Sequence, residues 1–570
     1  MLPNDAAAAR RYHSRFVSAK PVVRLQSPMV NPDMSSAFLN FLRQGAAARR
    51  TGARALEAEA LHAAAQLRPL DDESLASLMH GLIEQQRPGD AIELAAIIAQ
   101  LDEHNAHAHF RLGYALQMAG RHHDALAPYR CALALNPALP SLRCNLAGAL
   151  AFTHRGLDEQ IALLEEAVEH DPADGNAWIN LAGAYRKNMD LPRALEAGER
   201  AVLCAPLNPL AHNNYALTLR EAQRWDTALQ AAQTACALAP ADAFMRSNLA
   251  MLQLMRGDHA NGWLSHEARW SGSAELHGHR PALPGPTWRG EPLAGKTLLV
   301  WGEQGMGDVL QFSRYIPLVA ERAHREGGRL AWNSFPQMGA LLARSLGGHV
   351  DHYSAGGGVE TLPSFDFEIP LLSLPLILGT REATIPAATP YLHADAGALA
   401  RWRERLAGEP RLKVGLAWTG SHGHQRNPFR RVGWERYATH FANLRNVAFY
   451  SLQPGAGAEV AAASAAGLPM TDYTAELATF DDTAAFVGAL DLVITVCTSV
   501  AHLSGALGQR TWVLLDVNPH WVWLVDRRDN PWYPSATLYR QPRFGEWEPA
   551  LAALTRDLDA LAARHAAAPC

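Results

Sequence analysis

Hydrophobic positions in the first half of the chain recur with a helical period, and the helical unit itself recurs. In HFRLGYALQMAGRHHDALAPYRCALALNP, residues 109–137, apolar side chains fall at i, i+3, i+4 and i+7, break at Gly120, resume, and stop at a proline. Leu78, Leu112, Leu146, Leu181, Tyr215 and Leu249 hold one position of this unit, at spacings of 34, 34, 35, 34 and 34. Pro137, Pro172, Pro206 and Pro240 hold another, spaced 35, 34 and 34, and the extra residue falls near THRGLDEQ, 153–160. The pattern predicts an α-solenoid of helix pairs over 70–272, preceded by a helical segment over 1–69.

From about residue 285 the period changes. Short continuous apolar runs, TLLVW (297–301), RLAW (329–332), FEIPLL (367–372), KVGLAW (413–418), VAFYSL (447–452), LVITV (492–496) and TWVLL (511–515), alternate with helical stretches. Runs without alternation indicate strands buried on both faces, and helices between them indicate parallel βαβ units. The proline-containing ATIPAATPYLHADA, 383–396, divides the series. Two doubly wound, Rossmann-like α/β domains are predicted, over 285–395 and 396–570, with ligands at the carboxyl ends of the strands. The repeat unit resembles the tetratricopeptide repeat.

Composition narrows the function. A chain of 570 residues exceeds one core, and 48% apolar with 19% charged residues fits globular domains. A net charge of -5 gives no sign of a nucleic-acid binder, which usually carries a basic face. The six cysteines include no C-x-x-C pair, so neither a zinc site nor a disulfide framework is expected. The opening MLPNDAAAARRYHSRFVSAK lacks the apolar centre of a signal peptide, and no apolar stretch is long enough to span a bilayer. A cytoplasmic location is expected.

Candidate chemistry sits in both halves. Asn145, Asn180, Asn214 and Asn248 each precede a residue of the leucine series and should stack as a line of outward-facing amides. Such amides suit the backbone of an extended acceptor peptide, although an asparagine there also suits bridging between repeats. The same ladder is a feature of the superhelix of eukaryotic O-linked N-acetylglucosamine transferase. In the second half, WGEQGMGDVLQFSRY (301–315) places Gly305 and Gly307 between a strand and a helix, where a backbone or ligand can approach closely. It matches neither G-x-G-x-x-G nor a Walker A loop. Asp308 opens the helix, where an acid also serves as an ordinary first-turn residue. After LVITV, Thr498, Ser499 and Val500 begin a helix that carries His502, a natural phosphate wall unless the histidine is simply core. The loop HGHQRNPFRRVGW (422–434) adds Arg430 and Arg431. Trp418 and the aromatic cluster of 519–534 are candidates for a cleft wall.

GEQGMGDVLQFSRYIPLV, VGLAWTGS, SLQPG, DLVITVCTSVAHLSGALG and NPWYPSATLYRQ, in this order, resemble heptosyltransferase-like glycosyltransferases of the GT-B fold, in the bacterial branch with an N-terminal tetratricopeptide array. Flagellin glycosyltransferases share this layout. The resemblance implies sugar transfer from a nucleotide sugar to a hydroxyl of a protein acceptor, flagellin among the candidates, without a metal or other cofactor. It implies Asp308 as the base, Thr498, Ser499, Val500, His502, Arg430 and Arg431 at the donor phosphates, and Gln453 at the base or ribose. Ser421 replaces the family's loop asparagine, and Cys497 replaces its aspartate, which leaves open a non-catalytic scaffold; a lipopolysaccharide or other glycan is the alternative acceptor. A homo-oligomer is compatible with the array.

Overall fold

A computed structural model describes residues 32–153, 156–273, 276, 280–421, 423 and 426–567. The opening twenty residues, Cys570, and His422, His424 and Gln425 of the basic loop lie outside the described residues. The chain forms two compact units, one ending at Thr218 and one running from Leu219 to the C-terminus.

The first unit is a series of antiparallel helix pairs. Helices end at Leu135, His170 and Cys204, and the series prolines 137, 172 and 206 stand two residues beyond each end, where the missing N–H costs no helical bond. Asp71, Asn105, Asp174 and Asp190 accept hydrogen bonds from first-turn amides and so start helices. Small residues set the close crossings: a Cβ on Gly113 would lie 2.6 Å from the ring of the buried Tyr129. The irregular repeat is visible, because its first helix, Leu142–Leu150, has 9 residues where the equivalent Gly175–Lys187 has 13.

The unit boundary falls inside the 70–272 array expected from the repeat. The last helices, Trp225–Leu238, Ala243–Met255, His259–His266 and Arg269–Gly272, belong to the second unit. Their attachment includes an aromatic cluster: the buried Trp263 lies 5.3 Å from Trp521, 6.3 Å from Phe312 and 6.3 Å from Trp532, centroid to centroid.

Two parallel sheets follow. The first contains β1 (Thr297–Trp301), β2 (Arg329–Ser334), β3 (His352–Ala355) and β4 (Phe367–Pro370), in the order β3-β2-β1-β4. The second contains β5 (Leu412–Ala417), β6 (Val447–Ser451), β7 (Met470–Asp472), β8 (Leu492–Val496), β9 (Thr511–Leu515) and β10 (Ala536–Arg540), in the order β10-β9-β8-β5-β6-β7. Every pairing is parallel. Strand order reverses between β1 and β4 in one sheet and between β5 and β8 in the other. Loops leaving β1, β5 and β8 therefore open at the switch points where such sheets bind ligands. The solenoid followed by two parallel α/β domains is the architecture expected from the sequence.

All seven apolar runs are strands; β3, β7 and β10, which the pattern did not reveal, are three of the four outer strands. The connecting segment pins both domains. Tyr391 N and Leu392 N donate to Ala506 O at 3.0 and 3.3 Å, while the Tyr391 hydroxyl donates to Leu310 O at 2.9 Å.

Candidate functional site

One wall of the site is the turn from β1 into the helix Met306–Phe312. Glu303, only 3% exposed, is held by Arg269, whose Nε and Nη2 donate at 2.9 and 2.6 Å, and by Leu372 N at 3.1 Å. A buried carboxylate so bound fixes the loop in one shape. Gln304 adopts φ 60°, and Gly305 caps the helix. Asp308 is half-buried, and its Oδ2 accepts from Gly305 N at 3.1 Å, closing the first turn on itself.

The facing wall is the turn from β8 into Ser499–Ala506. Thr498 is its N-cap, with the hydroxyl accepting from Val500 N at 3.2 Å and 3.2 Å from the Thr495 hydroxyl. Residues 497–500 are half-buried, so this helix start is open to one side. The two walls touch. A Cβ built on Gly307 would stand 2.9 Å from His502 Cδ2, 3.6 Å from its Nε2 and 3.6 Å from Ser499 Cα. The Asp308 carboxylate also helps push up the Cys497 thiol, which burial raises first, so the acid and the end of β8 share a field.

The floor comes from the ends of β5 and β6. Thr419 N donates to Gln453 Oε1 at 3.3 Å, Gly420 N to Asn427 Oδ1 at 2.9 Å, and Asn427 Nδ2 to the Thr419 hydroxyl at 2.9 Å. Arg430 crosses this floor, with Nη1 donating to Cys497 O at 2.9 Å. Gly420 makes room for it, since any Cβ there would overlap the guanidinium. The structure thus brings Gly305, Gly307, Asp308, Gln453, Thr498, Ser499, Val500, His502 and Arg430 to one place.

Other expected residues are placed differently. Arg431 is exposed, and its nearest acid is Glu435 at 3.8 Å, because the short helix Asn427–Arg430 ends before it and turns it outward. Trp418 is fully buried in the core of the second sheet, and Trp521, Trp523 and Trp532 are buried as well, so they pack rather than line an open wall. Asn145, Asn180 and Asn214 are 0%, 1% and 4% exposed, and Asn248 is half-buried. The outward-facing amides expected from the repeat are therefore corrected to buried ones at Asn145, Asn180 and Asn214: Asn180 Nδ2 reaches Cys144 Sγ of the preceding repeat at 3.1 Å. The Asn180 amide thus points along the stack, toward the neighbouring repeat.

Several contacts of the site were not legible in the sequence. Arg426 donates to Asp516 Oδ2 at 2.5 Å, just past β9, and to Glu221 Oε1 at 2.5 Å; Asn518 Nδ2 joins Glu221 at 2.9 Å. Burial raises the Asp516 carboxyl, and Arg426 opposes the rise. His502, 6% exposed, contacts the Tyr533 hydroxyl through Nδ1 at 3.0 Å. Burial, then His520 and Arg314, push its imidazolium down to about 3, so the ring is neutral. Cys497 Sγ accepts from Trp523 Nε1 at 3.1 Å and stays a thiol. Only Asp516, one residue past an apolar run, was discoverable as a strand-end acid.

Among the described residues, no group of three or more His, Cys, Asp or Glu side chains is placed to hold a metal ion, and no helix is long and apolar enough to cross a membrane.

Residues 80–140 and 146–209 match the tetratricopeptide repeat family. The chain is 28% identical over 440 residues to Protein FlbA of Caulobacter vibrioides, covering 71% of this chain and 70% of FlbA. Among solved structures it is similar to the E. coli ADP-heptose lps heptosyltransferase II, at 12% identity and a TM-score of 0.35, over 47% of this chain and 99% of that one. It is also similar to TTC0263, a thermophilic TPR protein of Thermus thermophilus, at 18% identity and a TM-score of 0.29, over 32% of this chain and 100% of that one. Residues 80–140 and 146–209 thus hold tetratricopeptide repeats, and the chain, which is similar to FlbA, also contains two parallel α/β sheets.

Proposed function

We propose that the second unit is a glycosyltransferase that moves a sugar from a nucleotide sugar to a hydroxyl of a protein acceptor recruited by the repeats, flagellin being one candidate. The observation that carries this reading is the meeting of the Asp308 turn with the Thr498–His502 helix, each at the switch point of its sheet. Transfer needs a base for the acceptor proton and countercharge for the departing phosphate. Asp308 is the base. Arg430, the Thr498 hydroxyl and the amides opening Ser499–Ala506 receive the diphosphate, and Gln453, at the end of β6, meets the base or ribose. The groups that meet the leaving phosphate are a guanidinium, a hydroxyl and backbone amides, so the reaction proposed here calls on no metal. A cytoplasmic site of action is part of the same proposal, because nucleotide sugars are made there.

A panel of nucleotide sugars, read by thermal stabilisation of the purified chain, tests donor binding. Intact mass of a co-expressed acceptor tests transfer. Asp308→Ala should abolish the mass increment while leaving donor stabilisation intact; transfer by that variant would remove Asp308 as the base. Cys497, standing where the resembling enzymes carry an aspartate, favours one second reading, a non-catalytic scaffold, for which no nucleotide sugar would stabilise the protein.

A further inference from the structure

The contact between Tyr533 and His502 contains one hydrogen atom, and its position decides what the other side of the imidazole offers. Both side chains are buried, at 0% and 6% exposure, with the hydroxyl 3.0 Å from Nδ1. Either the phenol donates and Nδ1 accepts, or Nδ1 donates and the phenol hydrogen needs a different acceptor. The Tyr533 hydroxyl also neighbours the Tyr391 hydroxyl and the Arg314 guanidinium, and the guanidinium, a donor only, cannot take the phenol hydrogen. The neighbouring Tyr391 oxygen already accepts from Arg314 Nη2 at 2.9 Å and gives its own hydrogen to Leu310 O. A buried hydroxyl hydrogen without a partner is costly, so the first arrangement is favoured.

Arg314 strengthens this preference. It is 3% exposed and donates to Gln311 O at 2.8 Å, Trp532 O at 2.6 Å, Pro386 O at 3.3 Å and the Tyr391 hydroxyl, with no carboxylate partner among the described residues. Its guanidinium lies 4.7 Å over the Tyr533 ring and 4.5 Å over that of Tyr391. A buried cation beside a phenol makes the phenol a better donor and a poorer acceptor. The Tyr533 ring is itself fixed, since a Cβ on Gly505, in the same helix as His502, would lie 2.4 Å from it. With Nδ1 accepting, Nε2 carries the hydrogen. The Nε2–Cδ2 edge of the ring is the edge that faces Gly307.

We propose that Tyr533 is a positioning residue that holds neutral His502 as the Nε2–H tautomer and presents that N–H, beside Gly307, to an anionic oxygen of the donor diphosphate. This rests on the reading of the Thr498–His502 helix as the donor-phosphate wall. Tyr533 touches no reacting atom; it acts through the histidine.

The test combines a spectroscopic and a binding measurement on the full chain. Long-range 1H–15N correlation spectra of protein labelled at histidine, with His502 assigned by its loss in His502→Gln, report the tautomer directly. The Nε2–H pattern is expected in the wild type, and a mixed or Nδ1–H pattern in Tyr533→Phe, which keeps the ring. UDP, GDP, ADP and CDP serve as binding probes, and the best of them should bind Tyr533→Phe about tenfold more weakly. An Nδ1–H pattern in the wild type overturns the proposal, as does an unchanged tautomer in Tyr533→Phe. An Nε2–H pattern that Tyr533→Phe shifts without any change in diphosphate affinity overturns the presentation to the donor. If none of the four diphosphates binds the wild type, the donor reading fails while the tautomer measurement still decides the role of Tyr533.

Discussion

A methyl group added at Gly307 would lie 2.9 Å from Cδ2 of His502, closer than non-bonded carbons approach, so glycine is what lets the two α/β domains touch at this point. Gly307→Ala must move either the turn after β1 or the helix Ser499–Ala506. The expected cost is about 1–3 kcal/mol of stability, together with weaker donor binding. Combining it with His502→Ala should restore part of the stability, and a thermal-denaturation double-mutant cycle measures the coupling.

Glu303 and Arg269 form a pair with side chains 1% and 2% exposed. Replacing Glu303 by Ala leaves a buried guanidinium with its bidentate partner gone, an expected loss of about 3–5 kcal/mol. The double variant Arg269→Met/Glu303→Leu should lose less than Glu303→Ala alone. Chemical denaturation followed by tryptophan fluorescence reads both, since nearby Trp301 and Trp270 pack in the same cluster.

The neutral state of His502 predicts acid sensitivity. Its folded value is about 3 against an ordinary 6.5, so the unfolded chain takes up the proton first as pH falls. The contribution is whole above about pH 6.5 and disappears progressively toward pH 3, amounting to up to roughly 5 kcal/mol. His266, also buried and held well below its ordinary value, acts in the same direction and persists in the variant. Melting temperature against pH should therefore fall less steeply below pH 6.5 in His502→Gln than in the wild type; parallel slopes would contradict the neutral ring.

The two adjacent arginines should separate in function. Arg430 reaches across to Cys497 O, whereas Arg431 turns outward toward Glu435. Arg430→Ala is expected to weaken nucleotide-sugar affinity at least tenfold, about 1.4 kcal/mol, and Arg431→Ala to leave it within twofold. Isothermal titration with the stabilising donor distinguishes them, and equal losses would refute the placement.

Strand legibility followed burial. β1, β5, β6, β8 and β9 lie inside their sheets, and their hydrophobic runs match the observed strands to within a residue. β3, β7 and β10 are outer strands whose residues, His352–Ala355 and Met470–Asp472 above all, are partly exposed and read as loop. Continuous hydrophobicity signals burial on both faces, which these three outer strands lack and which the outer strand β4, bridged through Glu368 to Thr287, keeps.

The candidate site was legible where its geometry depends on consecutive residues and silent where it depends on partners far along the chain. Gly307, Asp308, Thr498 and His502 stand in strand–turn–helix segments whose local geometry follows from glycine, a cap residue and helical period. Glu303 depends on Arg269, 34 residues away, and Arg426 on Asp516 and Glu221, 90 and 205 residues away. The asparagine series shows the same limit from the other side, since its spacing of 35, 34 and 34 residues was readable but the burial of its amides was not.

From sequence alone came the repeat period, the change from helical to strand patterning near residue 285, and the turns that place chemistry at strand ends, because each is a property of contiguous residues. Tertiary structure alone decided which turns face each other, which of two neighbouring arginines points inward, and that His502 is neutral beside Tyr533 and Arg314. Those outcomes depend on desolvation and close contact between segments distant along the chain, and neither is encoded in any local pattern.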